Sequence, residues 1–432
     1  MIKLLGDLFA NNPKVLILGF GREGRSTYRT IRKYFPEMQL SIADLNVEIG
    51  NDLNILTDNR VNLYLGKEYQ DSLSEFDLII KSPGVKIDSV SADIVSKLTS
   101  QTDLFLQRYS HQTIGITGTK GKSTTSSLIK HFLDATDRNA VLLGNIGVPA
   151  FEMIGNIQDD SVIVYELSAH QLEYVRSSPH ISVLLNIFPE HLDYFGSLDK
   201  YRKAKHNIYK YQTEEDTFIV HSSLLGLLPN IEHNVIVVID ADDHFGFASK
   251  KISLPLIGAH NLANIEAALH AVLEIGVNID EAVNVLSGFK SLPHRLEFIG
   301  EFGGITYVND SISTVPESTI AAVKSLENVE TIILGGFDRG LDYKRLADFL
   351  VKSEISRFIF LGKAGDRMYE LIIDRSKKLL FKAESIEDAF RIIAESSLRG
   401  GICLLSPAAA SYDQFHNFEH RGDTFRNLAI NM

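Results

Sequence analysis

Residues 114–126 read Ile-Gly-Ile-Thr-Gly-Thr-Lys-Gly-Lys-Ser-Thr-Thr-Ser. An apolar strand end runs into a tight glycine turn, then Lys122, two hydroxyls and a helix predicted from about Ser123. Backbone N–H groups of such a loop point at phosphate oxygens. The helix N-terminus adds partial positive charge, the lysine a full one, and a Ser or Thr hydroxyl can ligate Mg²⁺. Gly118, Thr119, Lys120, Gly121, Lys122, Ser123 and Thr124 thus read as a cradle for a nucleoside triphosphate. The strict G-x-x-x-x-G-K-[ST] spacing calls for glycine at 116, where this chain has Ile116; its glycine comes at Gly118, a shortened variant.

A phosphate cradle needs a divalent cation, and the cation needs oxygen ligands. Glu166 ends the apolar run Val162–Tyr165 and is the natural carboxylate, although Leu167-Ser168 also suit a helix start with Glu166 as its N-terminal acid. His191 follows the run Ile181–Ile187 among Asn186, Glu190 and Asp193, a setting that suits a ligand as well as a satisfied polar residue. Ligands of open parallel sheets sit beyond the carboxyl ends of strands, so Glu166 and His191 are expected on the rim that carries Lys122. Lys205 lies on a stretch, Tyr201–Tyr209, that reads as a helix; by spacing alone it is a solvated lysine.

Two further segments carry polar strand ends. Near the N-terminus, Gly19-Phe-Gly21-Arg22-Glu23-Gly24 follows the strand Lys14–Phe20, and Asp44 lies 20 residues beyond Gly24 at the end of a second strand. That spacing fits a dinucleotide-type fingerprint, with Ser82-Pro83-Gly84 as a third strand-end turn. Towards the C-terminus, Asn309-Asp310-Ser311, Gly335-Gly336-Phe337-Asp338-Arg339 and Ser406–Ser411 each follow an apolar run, making a rim suited to a small anionic substrate.

These loops require three α/β segments with mostly parallel sheets. The expected division is 1–100, 101–292 and 293–432: a Rossmann-like module, a central phosphate-loop ATPase module and a C-terminal Rossmann-like module. The chain of 432 residues is 44% apolar, enough for such cores. A net charge of −12 argues against bulk nucleic-acid binding. One cysteine, Cys403, excludes a disulfide framework within the chain and a cysteine-built zinc site. Neither a signal peptide nor an apolar run of membrane-spanning length is visible, so a cytoplasmic protein without membrane insertion is expected.

Taken together, Gly118–Thr124, Gly144-Asn145-Ile-Gly147, Glu166-Leu-Ser168, Glu190-His191-Leu-Asp193, Tyr201-Arg-Lys-Ala-Lys205, His260-Asn261, Leu292-Pro-His-Arg295 and Asn309-Asp310-Ser311 resemble the Mur ligase family over nearly the whole chain. The tail Leu405–Ser411 with Asp413-Gln-Phe415 and Asn417-Phe418 is most like the glutamate-adding member. The resemblance implies an ATP- and Mg²⁺-dependent ligase, expected as a monomer. It would join D-glutamate to UDP-N-acetylmuramoyl-L-alanine through an acyl phosphate, in peptidoglycan precursor synthesis. It implies catalytic roles for Lys122, Glu166, His191 and Lys205, with Ser123, Thr124, Glu166, His191 and a CO₂-carbamylated Lys205 around the metal. Asn264, His294, Arg295 and Asp310 match positions around ATP. Gly21, Arg22, Glu23, Asp44, Ser82, Gly84 and Asn145 match the UDP-substrate side, and Arg339, Ser411 and Phe418 the glutamate pocket.

Three positions depart from the family pattern. Lys120 stands where asparagine is usual, Arg339 replaces a frequent lysine, and Ile312-Ser313-Thr314-Val315 replaces a run carrying a lysine and an asparagine. The last change leaves ligation of L-glutamate or another amino acid as an alternative. From other classes, Gly19–Gly24 with Asp44 would suit a dinucleotide-dependent oxidoreductase, but that leaves the second phosphate loop without a purpose. A non-catalytic nucleotide-binding protein would not need Lys122, Glu166, His191 and Lys205 together.

Overall fold

The computed structural model describes all residues except 88–90, 229–230, 232–233, 239–258, 290–292, 374–376 and 396–399, and the backbone alone of 259–260. The chain packs as two compact units, Met1–Lys251 with Leu262–Ser287, and Ile252–Asn261 with Gly288–Met432. The module boundary expected at 292 falls outside the described residues.

The first unit holds two parallel sheets. One contains β1 (Val15–Leu18), β2 (Leu40–Asp44), β3 (Val61–Leu65), β4 (Leu78–Lys81) and β5 (Leu98–Thr99), in the order β3-β2-β1-β4-β5. The order reverses between β1 and β4, so the turns after these strands face each other across a crevice. Ser82 Oγ donates to Gly19 O at 2.7 Å and closes that crevice at its base. A Cβ on Gly24 would lie 2.0 Å from Gly19 O, so only glycine lets the helix Arg22–Tyr34 start this close to the strand.

The other sheet contains β6 (Thr113–Thr117), β7 (Ala140–Gly144), β8 (Val162–Glu166), β9 (Ile181–Leu184), β10 (Thr217–His221) and β11 (Asn234–Val238), in the order β11-β10-β9-β6-β8-β7. Every residue of β6 and β9 is buried. Both faces of these strands are covered, and the polar residues they carry, Thr113, Thr117 and Ser182, are small and buried with the rest. The helix Lys122–Ala135 buries Leu128, Ile129, Phe132 and Leu133, whose helical spacing puts them on one face. One cluster of buried apolar residues reaches both sheets of this unit, from Ile17 and Ile42 to Tyr165 and Phe218, and a second, with Leu16, Leu18 and Ile79, packs on the other face of the first sheet.

In the second unit, β12 (Glu297–Phe302) pairs antiparallel with β13 (Ile305–Asn309). The remaining strands are parallel: β14 (Val329–Gly335), β15 (Arg357–Leu361), β16 (Leu379–Ala383) and β17 (Ile402–Leu405), in the order β12-β13-β17-β14-β15-β16. The apolar runs 305–308, 331–334, 357–361 and 402–405, which read as strands, are β13, β14, β15 and β17; β12 and β16, both more exposed, lie outside that expectation. The turns after β13, β14 and β17 share one rim.

Candidate active site

The phosphate loop leaves β6 as expected, and the helix begins at Lys122 with Gly121 at φ +88° before it. The loop is tied to the next strand end: Thr119 N donates to Asn186 O at 2.9 Å and Lys120 N to Asn186 Oδ1 at 2.8 Å. Lys122 Nζ folds back on the carbonyls of Gly118 (3.0 Å) and Thr119 (3.1 Å). Thr124 is buried and Ser123 half-buried in the first helical turn. Asn264, from the helix Ala259–Leu273, lies beside this turn, its Oδ1 3.4 Å from Thr125 Oγ1.

Glu166 ends β8 and is fully buried. Its Oε1 accepts from Asn145 Nδ2 at 2.7 Å, while Oε2 is buried with no hydrogen-bond partner. An orphaned carboxylate oxygen is costly. A cation beside the phosphate loop would satisfy it, so the donor set fits Mg²⁺. The competing reading of Glu166 is also partly realised. Ser168 caps the helix Ala169–Leu172 in a capping box with Gln171, so the strand tip and the helix start coincide.

His191 sits at φ +55° just after β9, its side chain half exposed. Glu190 pairs with Lys120 at 2.9 Å. Burial opposes ionisation of Glu190, but the hydrogen bond from Lys120 and the charges of Lys120, His191 and Lys122 outweigh it and hold the carboxyl below its ordinary value. The family departure at Lys120 thus has a local partner.

Lys205 corrects the solvated reading. It is 1% exposed on the helix Leu198–His206, with Nζ 2.9 Å from Gly118 O and 3.3 Å from Thr117 Oγ1. Burial, then the charge of Lys122, holds its pKa well below the ordinary lysine value against a weaker pull from Glu190. A lowered pKa favours the neutral amine, which is the form that reacts with CO₂.

Lys122, Asn145, Glu190, His191 and Lys205 line one cavity of about 290 Å³, together with Pro83, Gly84, Ser168, His170 and Tyr201. The turn after β4 therefore reaches the same space as the phosphate loop. Arg22 Nη1 donates to Gly147 O at 3.1 Å, so the first glycine turn also meets the loop after β7.

Two residues expected on the UDP side make hydrogen bonds within the protein. Asp44 accepts from the backbone N–H of Phe20 (2.6 Å) and Asn46 (2.8 Å), so its carboxylate ties the turn together. Glu23 turns inward, where Gln171 Nε2 donates to its Oε1 at 2.7 Å. Sequence reasoning missed His170, which lines the cavity, and Gln171 and Lys81, which lie outside its lining; each stands in an ordinary sequence context and is brought there by packing.

In the second unit, Asp310 is buried, with Oδ2 accepting from Ser406 Oγ (2.8 Å) and Oδ1 from Leu296 N (3.2 Å). Burial raises its carboxyl to about 6. His294, at φ +64°, accepts at Nδ1 from Asn309 Nδ2 at 3.0 Å and lies edge-on to Phe418 at 6.1 Å. Arg295 is half-buried nearby in the chain. Ser411 is buried, and Arg339 is exposed with its guanidinium over Tyr412 at 5.5 Å. Arg421, also missed, is 1% exposed and donates to Ser311 Oγ and O, Ala409 O and Ala410 O. It ties the turns after β13 and β17 together.

Among the described residues, no three His, Cys, Asp or Glu side chains cluster as a ready metal site.

A family model for the Mur ligase middle domain matches residues 116–272. A UDP-N-acetylmuramoylalanine--D-glutamate ligase of Clostridium kluyveri is 32% identical over 98% of this chain and 98% of its own. One from Natranaerobius thermophilus is 29% identical over 98% and 99%. Among solved structures, the UDP-N-acetylmuramate-alanine ligase of Thermotoga maritima superposes with a TM-score of 0.58 at 18% identity, covering 96% of this chain and 98% of that one. That likeness speaks for a shared three-domain α/β fold. The chain belongs to the Mur ligases, and among them to the family of the UDP-N-acetylmuramoylalanine--D-glutamate ligases.

Proposed function

We propose that the protein joins D-glutamate to UDP-N-acetylmuramoyl-L-alanine with hydrolysis of ATP to ADP and phosphate, as a cytoplasmic, monomeric enzyme of peptidoglycan precursor synthesis. One observation carries the reading: the phosphate-loop Lys122, His191 and the buried Lys205 line one cavity, and Asn145 in the same lining donates to the buried Glu166, whose other oxygen has no partner. The alanyl carboxylate oxygen attacks the γ-phosphorus, and the bond to the β,γ-bridging oxygen breaks. The glutamate nitrogen then attacks the acyl carbon, phosphate leaves, and the ammonium proton is released. ATP thus converts a poor leaving group into a good one, and the protein supplies positioning and charge.

In this reading Gly118–Thr124 hold the phosphates, and Lys122 leaves its loop carbonyls to meet them. Ser123 or Thr124, Glu166 and His191 would hold Mg²⁺, which when bound neutralises phosphate charge. Lys205 would add CO₂ at its neutral amine, releasing a proton and placing a carboxylate on a buried arm. Arg22, Asn145, Ser82 and Gly84 face the UDP substrate, with Gly21 in the turn; Asp44 and Glu23 support that turn from behind. Asn264, His294, Arg295 and Asp310 serve the nucleotide. Arg339, Ser411 and Phe418 bind glutamate, on a frame held by Arg421. The division at residues 100 and 292 separates these three tasks.

The test is phosphate release from ATP with UDP-N-acetylmuramoyl-L-alanine and either glutamate enantiomer. Release with D-glutamate is expected; release with neither would refute the reading, and release with L-glutamate alone would keep the chemistry and change the substrate. In the same assay Lys205→Ala should abolish turnover and a short-chain carboxylic acid should partly restore it. Wild-type rates in that variant would return Lys205 to a structural role.

A further inference from the structure

Lys81 is the last residue of β4, immediately before Ser82-Pro83-Gly84, and it is 3% exposed. A lysine is rarely buried unless paired. Its Nζ donates to Tyr194 Oη at 3.0 Å and lies 3.4 Å from Glu173 Oε2 and from the carbonyls of Ser82 and Pro83. The rings of Tyr174 and Tyr194 flank it at 5.3 and 5.7 Å. The Tyr194 hydroxyl is in turn within 2.8 Å of Glu173 Oε2 and 2.9 Å of Val85 O. One buried cation therefore gathers the turn after β4, Glu173 beyond the helix Ala169–Leu172, and Tyr194 three residues after His191.

The contacts continue into the cavity. The Tyr194 ring lies 4.4 Å from His170, and His170 lies 4.8 Å edge-on to His191. Pro83, Gly84, His170 and His191 all line the cavity, whereas Lys81 lies behind it. Burying a cation here costs desolvation that apolar packing would avoid, so the pair is poorly explained as a device for stability alone. Nothing in the glycine fingerprint or the phosphate loop calls for it.

We propose that Lys81 is a positioning residue for the nucleotide-sugar substrate, holding the Ser82–Gly84 wall and the His170–His191 wall of the cavity at a set separation through Tyr194 and Glu173. The inference rests on the reading of this cavity given above. It makes Lys81 a determinant of affinity for the nucleotide-linked acid more than for ATP, because the phosphate loop is anchored separately through Asn186.

The experiment compares the full-length wild type with Lys81→Met, Lys81→Arg and the double variant Lys81→Met/Glu173→Gln. Steady-state kinetics, calorimetric binding of UDP-N-acetylmuramoyl-L-alanine and thermal melts are read for each. Lys81→Met should raise KM and the dissociation constant for the nucleotide sugar roughly tenfold or more. Its KM for ATP should change less than about twofold, and Lys81→Arg should recover part of the loss. The double variant removes both charges, so its melt should return towards wild type while the nucleotide-sugar KM stays high. If Lys81→Met does not fold, the double variant decides. A wild-type KM in either variant, an equal rise for both substrates, or recovery of KM together with the melt would overturn the proposal. Wild-type protein that neither binds nor turns over the nucleotide sugar would instead sink the functional reading on which the proposal rests.

Discussion

Glu23 shows how far a residue's chemistry can move from its type. Burial pushes its carboxyl up to about 7, against the hydrogen bond from Gln171 and the charges of Lys81 and Arg22. The folded pKa lies above the ordinary 4.5, so between those values the folded state binds more protons than the unfolded one. Stability from this group is therefore complete below about pH 4.5 and falls as pH rises towards 7. Glu23→Gln keeps an acceptor for Gln171 without a charge to bury. It should melt above the wild type at pH 8, by up to about 3 kcal/mol, with the gap closing towards pH 4.5. Melts that coincide across this range would mean that Glu23 ionises normally. The same contrast separates the lysines. Lys120 and Lys122 announce themselves through the loop they stand in, whereas Lys205 and Lys81 stand in ordinary contexts and are set apart only by burial.

At the scale of elements, the turn that opens the phosphate-loop helix depends on Gly121. At φ +88°, a side chain costs about 1–2 kcal/mol in backbone strain. A Cβ there would also lie 2.4 Å from Asn264 Oδ1 and 3.0 Å from Leu185 Cδ1. Gly121→Ala should therefore displace Asn264 and weaken binding of a non-hydrolysable ATP analogue at least roughly tenfold, while far-ultraviolet circular dichroism stays unchanged. Calorimetric titration at wild-type affinity would contradict this. The element was legible from strand, glycine and Gly-Lys-Ser-Thr together. Its neighbour Asn264 comes from a helix some 140 residues later, and no local pattern connects the two.

At the scale of the molecule, each unit carries its own core. Phe358, fully buried in β15, packs with Val308, Leu334, Phe360 and Leu404, all within the second unit. Phe358→Ala should cost about 3–5 kcal/mol. Hydrogen exchange read by segment should show that loss across 293–432 while the strands of the first unit keep their protection. Equal loss in both would mean that the chain unfolds as one cooperative body.

What the sequence determined by itself is what local spacing encodes. Periodicity and turn chemistry specify the three α/β segments, the apolar strands buried on both faces and the turns that follow them. A parallel sheet then obliges those turns to share a rim, so the sequence alone puts Glu166 and His191 on the side of Lys122. Tertiary structure alone decided which charges are buried and what they meet. It withdrew Lys205 from solvent, turned Glu23 inward, closed Asp44 onto backbone amides and set Lys81 behind the cavity wall. Burial is a property of the assembled sheets, since desolvation depends on residues distant in the chain, and a side chain's type and spacing carry no record of it.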